Sequence, residues 1–360
     1  MQRFSKFLVA SVVALSLVRC ARAQKEVTAD KGTNSRILKL EELSFIDIDR
    51  LDRKKTIFFL TFGNLEEHGP HLPVGSDYFM AVGLRDALIS RLHAQHPDYN
   101  FVVFPVIPIG ECGANDLVGQ FEHIGTYNVR FQTLREVAVD LGASIARKKF
   151  QNILVLHYHG CLLHNMAFND AAAFVSEQYH VRMVHVTGLL FAEEEPFNTH
   201  VIEKHLGKGW EERIGWDAHA GAAETSINLY LREDLVKSGY KQLPVYSVKD
   251  AIDARQAFRE RPEWRGYWGA PAKATKEMGK DLMEDITSRA FRLVERALAG
   301  EDLSRLPIYP QNLLSMPGVE AELREHLQIY SAQAAEVDAW MAKNGSEHKI
   351  PQSQPDPKVR

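Results

Sequence analysis

Cysteine is scarce. The 360-residue chain holds three, at positions 20, 112 and 161, too few for a disulfide framework. Long hydrophobic runs are also missing. Beyond the N-terminus, no segment is long and apolar enough to span a membrane. Nor is positive charge in excess. With 43 Lys and Arg against 47 Asp and Glu, the chain has no obvious electrostatic use for nucleic acid. No Ser or Cys sits in a nucleophile-elbow pattern, which disfavours a covalent mechanism. No internal repeat is present. What remains is an ordinary globular composition, 45% hydrophobic and 25% charged. Its length allows two domains without demanding them.

The one long apolar run lies at the start. Arg3 and Lys6 precede an apolar stretch over 7–18, and Ala21-Arg22-Ala23 fits a small-x-small cleavage site before Gln24. Residues 1–23 therefore read as a signal peptide, and the expected destination is periplasmic or secreted. Lipidation at Cys20 is the weaker option, because Arg19 is a poor residue before a lipobox cysteine. Removing the four basic residues of this leader from 43 leaves 39 against 47 acids, a net of −8. Cys112 and Cys161 remain, both in loops expected to face one site. A bridge between them is open in an oxidising compartment, and two thiols is the plainer reading.

After a loose segment over 24–36, periodicity places helices at 40–51, 78–93, 131–149, 166–179, 222–231 and 276–298. In the second of these Met80, Leu84, Leu88 and Leu92 recur on one face. Apolar runs at 56–62, 101–106, 152–156 and 181–186 read as strands, the second cut short by Pro105. Residues 188–212 read as irregular and acidic. A C-terminal extension over 301–344 has helical character from 319 to 341. The polar, Pro-containing end over 345–360 reads as disordered.

The densest chemistry follows the first strong strand. Residues 63–77 read Gly-Asn-Leu-Glu-Glu-His-Gly-Pro-His-Leu-Pro-Val-Gly-Ser-Asp. Glycines and prolines shape a loop at a strand end, where open α/β sheets bind ligands. Glu66 and His68, two apart, point the same way in extended chain, and Asp77 opens the next helix. Carboxylates with imidazole suit zinc, manganese or iron(II) better than calcium or magnesium. A solvated surface turn is the bland alternative. The stretch resembles the signature of the creatininase family, G-S-x-E-Q-H-G-P-H-L-P-x-G-T-D, departing only at Asn64, Glu67 and Ser76. The resemblance implies that Glu66, His68 and Asp77 ligate metal, with Asp77 bridging two ions.

Two later stretches extend the resemblance, which covers about 37–300. His157-Tyr158-His159-Gly160-Cys161 stands where many members have N-G-H-G-G-N, so His159 is implied as the fourth ligand. Creatininase itself has a glutamate ligand at the position of Cys161, which puts the second metal site and creatinine as substrate in doubt. Cys161 is then a candidate for the substrate-binding wall; ligation of metal by its thiol is open, and a bystander thiol is the plainer reading. His157 and His164 read as supporting residues. His219-Ala220-Gly221-Ala222-Ala223-Glu224-Thr225-Ser226 is close to H-A-G-x-x-E-T-S, and Glu224 is implied as the fifth ligand. His219 becomes the candidate acid/base, with His71 in reserve and Glu67 as a possible helper. Trp216 is a candidate pocket wall.

The resulting expectation is an α/β protein, a three-layer α/β/α sandwich with a mostly parallel sheet. Its domain at 37–300 would hold two divalent ions, Zn²⁺ first, with Mn²⁺ or Fe²⁺ as alternatives. The water between them would lose its proton near neutral pH, and a histidine would deliver a proton to the leaving nitrogen. The reaction is then hydrolysis of a non-peptide C–N bond in a small linear or cyclic amide. By resemblance the protein would be a homohexamer. Two alternatives stay open: an exported solute-binding protein with a degenerate metal site, and a formamide deformylase or small-peptide hydrolase.

Overall fold

The computed structural model describes residues 36–113, 124–192, 199–250, 253, 265–303, 306 and 318–346. The expected leader, the segment up to 35, the stretch 114–123 and the tail beyond 346 lie outside them.

Five parallel strands make one sheet: β1 (Ile37–Lys39), β2 (Thr56–Thr61), β3 (Asn100–Val103), β4 (Asn152–Leu156) and β5 (Arg182–His185). Their order is β1-β3-β2-β4-β5. β2 sits in the middle, and every residue of it is buried. That is why it reads as a continuous apolar run rather than an alternation. Its side chains still divide by parity. Ile57 and Phe59 enter one core, while Phe58, Leu60 and the following Phe62 enter the other. β4 repeats the division, with Leu154 and Leu156 on one side and Ile153 and Val155 on the other.

The first core is closed by α2 (Ser76–Gln95), α8 (Ala222–Arg232) and α9 (Lys276–Leu298). Met80, Leu84, Leu88 and Leu92 are the stripe that α2 buries there. The second core is closed by α3 (Phe131–Ala146), α4 (Leu162–Tyr179) and the first turns of α10 (Val319–Asn344). Helices on both faces of a parallel sheet give the expected three-layer sandwich. Burying each large aliphatic or aromatic side chain contributes about 1.5–3 kcal/mol.

Two local expectations differ from the structure. Residues 40–51 are not one helix. They form a three-residue turn of 3₁₀ helix at Leu40–Glu42, then α1 (Phe45–Asp49), started by a capping box between Ser44 and Asp47. The preceding β1 is too short to show any alternation. The region read as irregular contains α5 (Val186–Phe191), α6 (Thr199–Leu206) and α7 (Trp210–Ile214), each too short for a helical period to stand out. No helix among the described residues is long and apolar enough to cross a membrane.

Strand order places the site. From β2 the chain moves to β3 on one side, then crosses to β4 on the other. The crevice at the C-terminal ends of β2 and β4 is therefore a topological switch point. The two loops that leave these strands are 63–75 and 157–161.

Candidate active site

Backbone hydrogen bonds fix the loop after β2. Phe62 N–H donates to Leu156 O, Gly63 N–H to Ile107 O, and Glu66 N–H to Val74 O. The loop folds back so that Asp77, in the first turn of α2, lies beside Glu66 and His68. Glu66, Asp77 and His159 form one cluster of candidate ligands, His68, Asp77 and Glu224 form another, and Glu66, His68 and His219 also come together. Asp77 belongs to the first two, as a bridging carboxylate must. Glu66, His68 and Asp77 are each only 1% exposed.

The clusters draw on four elements. β2 and its loop supply Glu66 and His68, α2 supplies Asp77, the β4 loop supplies His159, and α8 supplies Glu224. Asp217 holds α8 in place. It is half-buried, and its two carboxylate oxygens accept from Ala222 N–H at 2.7 Å and Ala223 N–H at 3.0 Å. Gly221 can have no side chain, because a Cβ there would meet Asp217 and the Trp268 carbonyl. Glu224 in the first turn reaches back to accept from Ala220 N–H at 2.7 Å.

The tautomers of three histidines follow from their carbonyl partners, since a carbonyl can only accept. His68 Nδ1–H donates to Glu66 O at 3.0 Å. His159 Nε2–H donates to Cys112 O at 2.9 Å. His219 Nε2–H donates to Glu67 O at 2.9 Å. In each ring the other nitrogen carries a lone pair, and that nitrogen faces carboxylates. His68 Nε2 lies 3.5 Å from Asp77 and 3.6 Å from Glu224. His159 Nδ1 lies 2.9 Å from Glu66 and 3.1 Å from Asp77. His219 Nδ1 lies 3.6 Å from Glu66.

Lone pairs facing carboxylates repel unless a proton or a cation stands between them. Burial opposes charging His68, but Asp77, Glu224 and Glu66 raise it to about 10. Burial likewise opposes charging His159, and Glu66 with Asp77 raises it well above the usual imidazole range. Burial raises Glu224. His68 Nε2 is buried without a hydrogen-bond partner. Donors bound to one ion at about 2.0–2.2 Å lie about 2.8–3.6 Å apart, and the separations here fall in that span. The donor set of three carboxylates and two or three imidazoles fits two divalent ions.

Four other sequence candidates surround the clusters. His219 is buried, with the Trp268 ring 5.8 Å away. Glu67 Oε1 lies 3.6 Å from His219 Nε2, and Glu67 Oε2 accepts from Gly69 N–H. Trp216 stacks on Trp268 at 5.5 Å and 22°, one ring removed from His219. His71 donates from Nε2 to Thr225 Oγ1 at 2.8 Å, while that hydroxyl donates to Ala220 O. Burial, with the charges of His68 and His219, lowers His71 to about 4.

The remaining candidates lie behind His159. Cys161 faces Glu111, with Sγ 3.5 Å from Oε2. His157 Nδ1 accepts from His159 N–H at 3.1 Å, and its Nε2–H donates to His185 Nε2 at 2.7 Å. His185 Nδ1–H passes the chain on to Asn169 Oδ1 at 2.7 Å. His164 Nδ1 accepts from Glu111 N–H. Sequence reading missed Glu111, Asp217, Trp268 and Tyr330. Only Asp217 and Trp268 carried a signal, a lone acid and a lone tryptophan near glycine-rich turns.

Residues 41–294 match the family described as creatininase, creatinine amidohydrolase. The chain belongs to the creatininase family. Among curated relatives, a mycofactocin precursor peptide peptidase of Mycobacterium tuberculosis is 24% identical over 273 residues, 72% of this chain and 93% of the relative. Its counterpart from Mycobacterium ulcerans is 22% identical over 275 residues, 74% of this chain and 96% of the relative. Among solved structures, a mutant creatininase of Zn–Zn type aligns with a TM-score of 0.55 at 19% identity, covering 73% of this chain and 99% of that one. A manganese creatininase aligns at 0.54 and 19%, covering 72% and 98%. These likenesses fix the creatininase fold. With the family match and the peptidase relatives, they make this chain a hydrolase of C–N bonds. α10 lies beyond the part that matches the creatininase family.

Proposed function

We propose that this chain is a metal-dependent amidohydrolase acting on a small linear or cyclic amide. The carrying observation is the set of histidine lone pairs, each fixed by a backbone carbonyl, that point at carboxylates gathered around Asp77. Glu66, Asp77 and His159 would hold one divalent ion, and His68, Asp77 and Glu224 the other, Zn²⁺ first with Mn²⁺ or Fe²⁺ as alternatives. Two such ions supply Lewis acidity toward a carbonyl and acidify water near neutral pH.

The chain's own residues do the rest. His219 sits beside Glu66, its Nε2 fixed on Glu67 O, and is our proton donor to the leaving nitrogen. Burial opposes charging His219, and Glu66 and Glu67 raise it, so it can hold a proton at working pH. Glu67 acts through His219 by stabilising its cation, rather than as an independent base. His71, lowered to about 4, stays neutral and steadies the first turn of α8 through Thr225. Trp216 and Trp268 form an aromatic wall beside His219. Cys161 is turned toward Glu111, and its place in the pocket wall rests on the sequence alone.

The curated relatives favour a second reading within the same chemistry, a short-peptide hydrolase, because they are named as peptidases. Formamide deformylation is a further option. The solute-binding alternative has no use for a histidine proton donor at the ligand cluster. We further propose export by the residue 1–23 leader and assembly as a homohexamer, both by sequence resemblance. The test is a panel of cyclic amides, formamides and short peptides on the metal-reconstituted protein. Turnover of any one, lost on chelation, supports the reading. Metal binding without turnover of any class favours the binding protein.

A further inference from the structure

A second cluster of soft donors lies behind His159, outside the pair of metal positions. Glu111, Cys112 and Cys161 bring a carboxylate oxygen and two thiol sulfurs within 4.8 Å of one another. Both cysteines carry thiols. The Tyr330 hydroxyl donates to Glu111 Oε1 at 2.8 Å. Three donors from two separate parts of the chain thus meet at one point, and Tyr330, from a third, orients Glu111. We propose that Glu111, Cys112 and Cys161, with Tyr330 positioning the carboxylate, form a further site for a zinc-class divalent cation.

Three observations support this. The first is charge. Glu111 is fully buried, it meets the Tyr330 phenol and the Cys161 thiol, and no Lys or Arg pairs with it among the described residues. Burial pushes its carboxyl well above the usual range, so it is held protonated until a cation beside it favours the carboxylate. The second is geometry. A zinc ion with sulfur at about 2.3 Å and oxygen at about 2.0–2.2 Å sets a tetrahedral S···O edge of about 3.6 Å, and the Cys161 Sγ–Glu111 Oε2 separation is 3.5 Å. The third is backbone. Cys112 is held at φ 58°, a conformation that L residues rarely adopt, and its carbonyl meets His159 Nε2–H.

Two thiolates with a carboxylate suit zinc-like ions over magnesium or calcium. Binding would release the two thiol protons and the Glu111 carboxyl proton to solvent, leaving two thiolates and a carboxylate on the cation. Such an ion would tie α10 to the loop that carries His159. None of its donors belongs to the Asp77 clusters, though Cys161 and Cys112 both touch His159.

Cobalt(II) distinguishes the two kinds of site, since only thiolate ligands give an intense near-ultraviolet charge-transfer band. The full chain, in a Cys20→Ser background with thiols kept reduced, would be stripped by chelation and titrated with Co²⁺. The proposal expects the band in the parent protein, its loss in Cys112→Ser and in Cys161→Ser, and its survival in Asp77→Ala or His68→Gln. No band in the parent protein overturns it. So does a band that survives Cys112→Ser, or one that disappears with Asp77→Ala and His68→Gln, which would put Cys161 on the Asp77 pair instead.

Discussion

Each proposed ligand histidine has one ring nitrogen committed to a backbone carbonyl, so its other nitrogen is fixed as an acceptor before any ion arrives. His219 shares that arrangement, 3.6 Å from Glu66 and grouped with Glu66 and His68, and is our proposed acid rather than a ligand. His219→Gln should therefore leave metal content unchanged and lower kcat by roughly 10²–10⁴. Because the proposed acid must be protonated, the parent enzyme should lose activity on the alkaline side, and that limb should vanish in the variant. Loss of metal in His219→Gln would instead make it a ligand. Glu66, His68 and Asp77 were legible because they fall inside one contiguous motif. Glu111 and Tyr330 were not. They lie 219 positions apart, and a contact over that distance leaves no spacing to read.

Among elements, α8 carries the greatest consequence for the site. Its cap is Asp217, whose half-buried carboxylate satisfies two N–H groups of the first turn. Asp217→Ala should destabilise the fold by about 0.5–2 kcal/mol and weaken metal binding through Glu224, both measurable by chelator competition and thermal unfolding. α8 also packs tightly on α9. A Cβ at Gly279 would fall on the Ser226 carbonyl, so Gly279→Ala should cost about 1–3 kcal/mol; an unchanged Tm would contradict the close approach. Long elements were legible from periodicity. The expected helix at 276–298 matches α9 at both ends. The expected helix at 78–93 falls short of Ser76–Gln95 by two residues at each end, because a turn residue and a polar last turn carry no apolar period. α5, α6 and α7 span too few turns, and β1 too few residues, for pattern to emerge.

At the scale of the whole molecule, the site and the layer behind it pull stability in opposite directions with pH. In the metal-free protein His68 sits at about 10, above its unfolded value near 6.5. Its contribution is complete below the unfolded value and is lost as pH rises through the folded one. His185 is the reverse case. Burial lowers it to about 3, and burial lowers His157 and His164 as well. Their contribution is present above the unfolded value and is lost as pH falls toward the folded one. The metal-free protein should therefore weaken both below pH 6 and from pH 7 toward 10. Loading with metal should flatten the alkaline side only, because an ion replaces the proton on His68 but cannot reach the neutral His157–His185 pair. Thermal unfolding across pH, with and without metal, checks this; identical curves would contradict it.

The most direct test is a paired elemental analysis of the purified parent protein and Asp77→Ala, each chelated and then re-supplied with metal. The parent should hold about two more first-row ions per chain than the variant, and amide hydrolysis should disappear with them. Equal metal content, or full activity in Asp77→Ala, would contradict a bridged pair at the centre of this fold.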